Sequence, residues 1–196
     1  MNLLFRWYIF YPLATILAAL VVLVSLGPVI LPTDPRPVSG RVTGQMLVLE
    51  GDDLAHPASS PETVHFVDRD AAWRVTALRV AVLSGVGPVK PQEPGVQILL
   101  SPRAVGQLGH GPLRIEVMTK ALPITIAQQL AIGLNRGGRI EWQTKPIAVG
   151  DELITYDFAA SGAPSAIALR PVTTLEGYSY GIEIRSIRIR SAAIRS

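Results

Sequence analysis

The residue pattern predicts a mainly β protein: an antiparallel jelly-roll β-sandwich preceded by one transmembrane α-helix. Two observations carry this. An uncharged apolar run extends from Trp7 to Leu31, and after it short stretches of alternating apolar and polar residues recur between glycine, proline and aspartate turns. Three segments follow: a single-pass anchor at 1–31, a proline-rich linker at 32–40 and a β-sandwich domain at 41–196.

The first segment is bounded by Arg6 and Asp34, and about 20 apolar residues suffice to cross a hydrocarbon core. In lipid a helix satisfies its own backbone groups, so the run is predicted to be helical. It exceeds the roughly 7–15 apolar residues of a cleaved signal peptide, and Pro28 directly after Ser25 and Gly27 spoils a cleavage site, so the anchor is expected to be retained. Phe5, Trp7, Tyr8, Phe10 and Tyr11 suit an interfacial belt, and Pro12 falls near the helix start, where its missing amide costs little. Ala14 and Ala18 are spaced to let a second helix approach. Arg6 on one flank and Arg36 and Arg41 against Asp34 on the other barely discriminate orientation. A short tail before a long apolar run resembles a signal anchor, which implies a cytoplasmic N-terminus and a periplasmic domain at a bacterial inner membrane.

Past the anchor about 160 residues remain, enough for one domain with a sizeable core. The net charge of +3 is near balance, and the absence of cysteine fits a periplasmic domain without requiring one. No interleaving of basic and aromatic residues suggests a nucleic-acid groove.

Pro28, Pro32, Pro35 and Pro37 favour a stiff, extended exit from the membrane. Met46 to Leu49 then reads as a strand, followed by a low-complexity loop, Gly51 to Glu62. Val75 to Leu83 places Leu78, Val80 and Val82 on one face. A Pro/Gly-rich loop, Gly85 to Gly95, leads to a strand at Val96 to Leu100. Leu113, Ile115 and Val117 alternate with Arg114, Glu116 and Met118. Leu130, Ile132 and Leu134 alternate before the turn Asn135 to Gly138, although Ala127 to Leu134 also accommodates a short helix. Ile140 and Trp142, then Ile154, Tyr156 and Phe158, then Ile167 and Leu169 continue the series. In the final stretch, Ile182 to Arg190, the apolar positions switch from even to odd numbers, which predicts a β-bulge at Arg185-Ser186.

The ordered strands Leu113-Arg-Ile-Glu-Val, Leu130-Ala-Ile-Gly-Leu, Ile140-Glu-Trp-Gln-Thr, Leu153-Ile-Thr-Tyr-Asp-Phe and Ile182-Glu-Ile-Arg-Ser-Ile-Arg-Ile resemble the second half of galactose-binding-like jelly rolls, the fold of many carbohydrate-binding modules. The likeness runs from about Arg41 to Arg190 and lies in strand order, without a diagnostic motif. It implies a fold, and for function only that relatives often hold a structural calcium and bind sugars through exposed aromatics.

Gly177-Tyr178-Ser179-Tyr180-Gly181 matches a nucleophile elbow, but a strand pattern follows it where a helix is required, and no histidine comes after His110. A hydrolase is therefore not expected. His56, His65 and His110 lack ligand spacing, and no phosphate-binding or dinucleotide loop is present. Asp52-Asp53, Asp68 with Asp70, and Asp151-Glu152 could supply oxygens to calcium, but turn formation explains them equally. No cofactor is required. Trp73, Trp142, Tyr156, Tyr178 and Tyr180 are the candidates to stack on a sugar. Parity with Ile140 and with Ile154 and Phe158 places Trp142 and Tyr156 in the core, so Tyr178 and Tyr180, in a glycine-bounded loop, are the better contacts. Arg188 and Arg190 share a strand face that either meets an anionic partner or is simply solvated.

The leading expectation is a non-enzymatic accessory subunit. Its helix would pack beside integral membrane subunits in the lipid bilayer, and its sandwich would brace a photosynthetic or respiratory assembly. The alternative is a membrane-tethered carbohydrate-binding module for envelope polysaccharide.

Overall fold

The computed structural model describes residues 7–30, 34–83, 92–121, 127–148, 150–173 and 180–191, with the side chains of residues 10–22 in the first helix. The chain forms two compact units, Met1–Thr33 and Asp34–Ser196.

In the first unit, α1 runs from Trp7 to Ile30, 24 residues, or about 36 Å at the α-helical rise. Every side chain described on it is exposed, including Phe10, Leu13, Ile16, Leu17 and Leu20. The predicted helix is thus present. Among the described residues, however, no helix is long and apolar enough to cross a membrane, so a transmembrane span is not shown.

The second unit contains β1 (Arg41–Thr43), β2 (Met46–Glu50), β3 (Ala58–Ser59), β4 (Thr63–Arg69), β5 (Val75–Val82), β6 (Val96–Leu99), α2 (Pro102–Leu108), β7 (Leu113–Ala121), β8 (Gln129–Arg136), β9 (Arg139–Pro146), β10 (Asp151–Phe158), β11 (Ala166–Val172) and β12 (Tyr180–Ser191). Every pairing between these strands is antiparallel. One sheet carries the order β5-β12-β7-β10 and the other β6-β11-β8-β9. From β5 to β12, apart from the hairpin β8-β9, consecutive strands cross between these two foursomes in the sequence of a jelly roll. The hairpin β1-β2 and the strand β4 extend the first sheet, and β3 extends the second.

Alternation explains the core. Leu113, Ile115 and Val117 of β7, Ile182, Ile184, Ile187 and Ile189 of β12, and Leu130, Ile132 and Leu134 of β8 are all fully buried between the sheets. Against β7 the register of β12 slips between Ile184 and Ser186. Arg185 is therefore the extra residue, and both pairs of isoleucines keep facing inward across the predicted bulge.

Several elements escaped the sequence pattern. The segment read as a low-complexity loop holds a 3-10 turn, Gly51–Leu54, and the two-residue β3. Among the described residues edge strand β4 pairs only with β5 and leaves Phe66 exposed, so its face alternation is weak. Helix α2 is too short to show a period, although its ends are marked: Pro102 opens it and the Ser101 Oγ accepts from the Ala104 amide at 3.3 Å. Residues 129–136 form strand β8 rather than a helix. At the entry to the domain Val38 is buried and bridges Leu100 in parallel.

Candidate functional site

The middle strand of the second sheet buries both of its faces. In β11 every residue is buried. Ile167 and Leu169 join the inter-sheet core, whereas Ala166, Ala168 and Val172 are buried outside it. The outer face can be read from the register. One row runs Ala58, Gln97, Ala168, Gly133, Trp142, and its neighbours include Ala166-Asn135-Ile140 and Arg170-Ala131-Thr144. Four small residues, Ala131, Gly133, Ala166 and Ala168, make a shallow floor.

Trp142 lies on this floor, which corrects the core placement its parity suggested. Ile140 shares its face and is likewise buried outside the inter-sheet core. Parity correctly paired the two residues; it could not tell which face of an edge strand is inward. A Cβ added at Gly133 would stand 2.9 Å from Trp142 Cδ2 and Cε3, and one added at Gly95 would stand 3.2 Å from Trp142 Cη2. The indole therefore crosses from β9 over β8 toward the start of β6, flat against residues that have no bulk to lift it. It is half-buried, and its Nε1–H is buried without an acceptor among the described residues.

Polar groups share this face of the sheet with the ring. Asn135 Nδ2 donates to Gln97 Oε1 at 3.2 Å, and the Gly138 amide donates to Asn135 Oδ1 at 3.1 Å. Arg170, only 4% exposed, forms an ion pair with Glu93 from the segment preceding β6. Gln97, Asn135 and Arg170 escaped the sequence reading because each interrupts an apolar strand singly. Their convergence depends on the pairing of β6, β11 and β8.

The other sequence candidates are dispersed. Tyr178 lies outside the described residues, as does most of the glycine-bounded loop; Tyr180 heads β12 opposite Val82. Tyr156 is in the core as expected, and burial pushes its phenol well above the ordinary tyrosine range. Trp73 is 61% exposed in the β4–β5 loop. Ala14 and Ala18, four residues apart on α1, are both exposed.

Arg188 and Arg190 do share the outer face of the first sheet, amid alternating charges. Arg190 pairs with Glu116, Arg114 with Asp157 at 2.6 Å, Arg79 with Asp68 at 2.6 Å, and Arg185 with both Asp151 and Glu183. Among the described residues Arg188 has no ionic partner. Such exposed pairs contribute little to stability, and the face as a whole is charge-compensated. Asp68, Asp70 and Asp151 are thus engaged by arginines, and no group of three or more potential metal ligands exists among the described residues. A depression of about 460 Å³ beside the β1–β2 hairpin and α2 is lined by Gln45, Gln107, Ser191 and apolar residues, with no aromatic or charged side chain.

No family model and no curated protein matches the chain. Solved structures similar to it include the CBM1 of BiXyn10A in its apo form, at 10% identity over 69% of this chain and 88% of that one, with a TM-score of 0.41. The N-terminal cellulose-binding domain of Cellulomonas fimi β-1,4-glucanase C is 16% identical over 74% of this chain and 95% of that one, with a TM-score of 0.36. An exo-β-agarase is 10% identical over 80% of this chain, which spans 25% of the agarase, with a TM-score of 0.44. Likenesses this distant carry no functional argument; the jelly roll stands on the strand order itself.

Proposed function

We propose that the chain is a non-enzymatic glycan-binding module, held at a membrane by α1, with the outer face of the second sheet as its binding surface. The observation that carries this reading is the Trp142 indole laid over Gly133, on the same sheet face as Gln97, Asn135 and Arg170. A sugar presents an apolar C–H face and a rim of hydroxyls. A flat aromatic beside amide groups complements both.

The tether rests on α1. An apolar helix of 24 residues whose described side chains are all exposed needs a cover, and a bilayer supplies one. Placement of the domain in the periplasm of an inner membrane belongs to the same proposal. No contact among the described residues favours the accessory-subunit reading over this one.

Affinity electrophoresis of the detergent-solubilised full chain through gels containing neutral or acidic polysaccharides tests the binding surface. At least one polysaccharide should retard the chain, and Trp142→Ala should weaken that retardation by about tenfold, given the usual worth of aromatic stacking. Binding unchanged in Trp142→Ala, or no retardation by any polysaccharide, would remove the proposal.

A further inference from the structure

The loop joining β4 to β5, residues 70–74, holds Trp73 at φ 61°, the one non-glycine residue of positive φ among those described, with 61% of its surface exposed. A bulky residue seldom adopts this left-handed backbone, and here nothing in the core requires it. The loop is fixed from below. Asp70 Oδ1 accepts from the amides of Ala72 at 2.8 Å and Arg74 at 2.9 Å, and Asp70 Oδ2 accepts from Arg74 Nε at 3.1 Å. The Trp73 amide donates to the Asp70 carbonyl oxygen at 2.9 Å, and Arg69 Nη1 donates to the Trp73 carbonyl oxygen at 2.9 Å. These bonds fix the backbone and leave the indole in solvent, with Arg69 and Arg74 in the same loop.

The position of the loop within the domain indicates what the ring meets. The 3-10 turn Gly51–Leu54 packs on β5, with Gly51 beside Val75, two residues past Trp73. From the same turn the Asp53 carboxylate accepts from the Gly40 amide, and just beyond it the His56 carbonyl accepts from the Arg36 amide at 3.2 Å. The segment by which the chain enters the domain, Arg36–Gly40, and the Trp73 loop therefore flank one turn. If α1 is a tether, this entry segment is the part of the domain joined to it by the shortest length of chain.

We infer that the Trp73 loop is a second membrane contact, seating its indole at the headgroup level with Arg69 and Arg74 toward anionic lipid. An indole with a polar edge favours that depth, and arginine suits lipid phosphate. The inference rests on the tether reading.

The chain has no cysteine, so Ala72→Cys gives a single labelling site that keeps the backbone amide bonded to Asp70. The labelled full chain, carrying the fluorophore NBD, is reconstituted into phosphatidylcholine–phosphatidylglycerol vesicles and floated on a density gradient. Expected are co-flotation and at least twofold quenching by nitroxide-bearing lipids, with quenching largely lost in the added variant Trp73→Ser. Co-flotation with no lipid quenching overturns the inference alone. Protection from a water-soluble quencher without lipid quenching also overturns it, in favour of a protein contact. Failure of the chain to float removes the tether reading and this inference with it.

Discussion

The Tyr156 hydroxyl donates a 2.8 Å hydrogen bond to the Leu130 carbonyl oxygen, joining β10 of one sheet to β8 of the other inside the core. Tyr156→Phe keeps the ring and removes the donor from a buried carbonyl, which costs about 1–2 kcal/mol. Urea unfolding should show a lower midpoint with an unchanged slope. The same residue makes the fold alkali-sensitive. Burial raises the folded-state pKa, so above about pH 10 the unfolded chain releases its proton first and stability falls as pH rises. In Tyr156→Phe that alkaline loss should be smaller.

At the opposite end of the pH scale, His65 is held below the ordinary histidine range by burial and shares a hydrogen bond with Ser59. A folded state that resists protonation binds fewer protons than the unfolded chain below about pH 6.5. Stability is therefore fully present above that value and declines as pH falls toward the lowered folded-state pKa. Thermal melts at pH 7.5 and pH 5 should separate less in His65→Gln than in the parent chain.

Gly133 is the floor beneath Trp142. A methyl group there meets the Ile140 side chain and the six-membered ring of Trp142. Gly133→Ala should therefore lift the indole, shift tryptophan fluorescence and cost about 1–3 kcal/mol of stability. If the glycan reading holds, polysaccharide retardation should weaken with it. An unaltered spectrum with native stability would mean that the ring does not lie on this floor.

Arg185 is the residue that the β12–β7 register leaves over. Its deletion brings Ile184 and Ser186 into ordinary succession and keeps Ile182, Ile184, Ile187 and Ile189 on one face, so the domain should still fold, losing only exposed ion pairs. Deleting Arg188 instead turns Ile189 outward and should abolish the cooperative melt. Circular dichroism melts of the two deletions give a direct comparison.

These residues also show what was legible in the chain. The parity switch in Ile182–Arg190 located the bulge because inward-facing isoleucines flank it on both sides, and the alternation in β7 and β10 was as clear for the same reason. Trp142 failed the same test. It sits on an edge strand whose apolar positions point outward, and what receives it is a floor of alanine and glycine with no hydrophobic signature. Gln97, Asn135 and Arg170 come from three strands far apart in sequence, and only the pairing of those strands brings them together. Trp73 could be noted as an aromatic, but its left-handed backbone depends on hydrogen bonds to Asp70 that no periodicity encodes.

Along one edge of β12 two hairpins dock in tandem, β4-β5 against Tyr180–Ile184 and β1-β2 against Ser186–Arg190, while β7 occupies the other edge. Ser186 thus partners Glu50, and the strand that closes the sheet leaves the ribosome after every strand it joins. Until then both hairpins expose unsatisfied edges, so the domain must reach its native form after translation of these residues, slowly, as contacts this remote in sequence require. A nascent chain stalled short of Ile182 should be a substrate for chaperones rather than a folded intermediate.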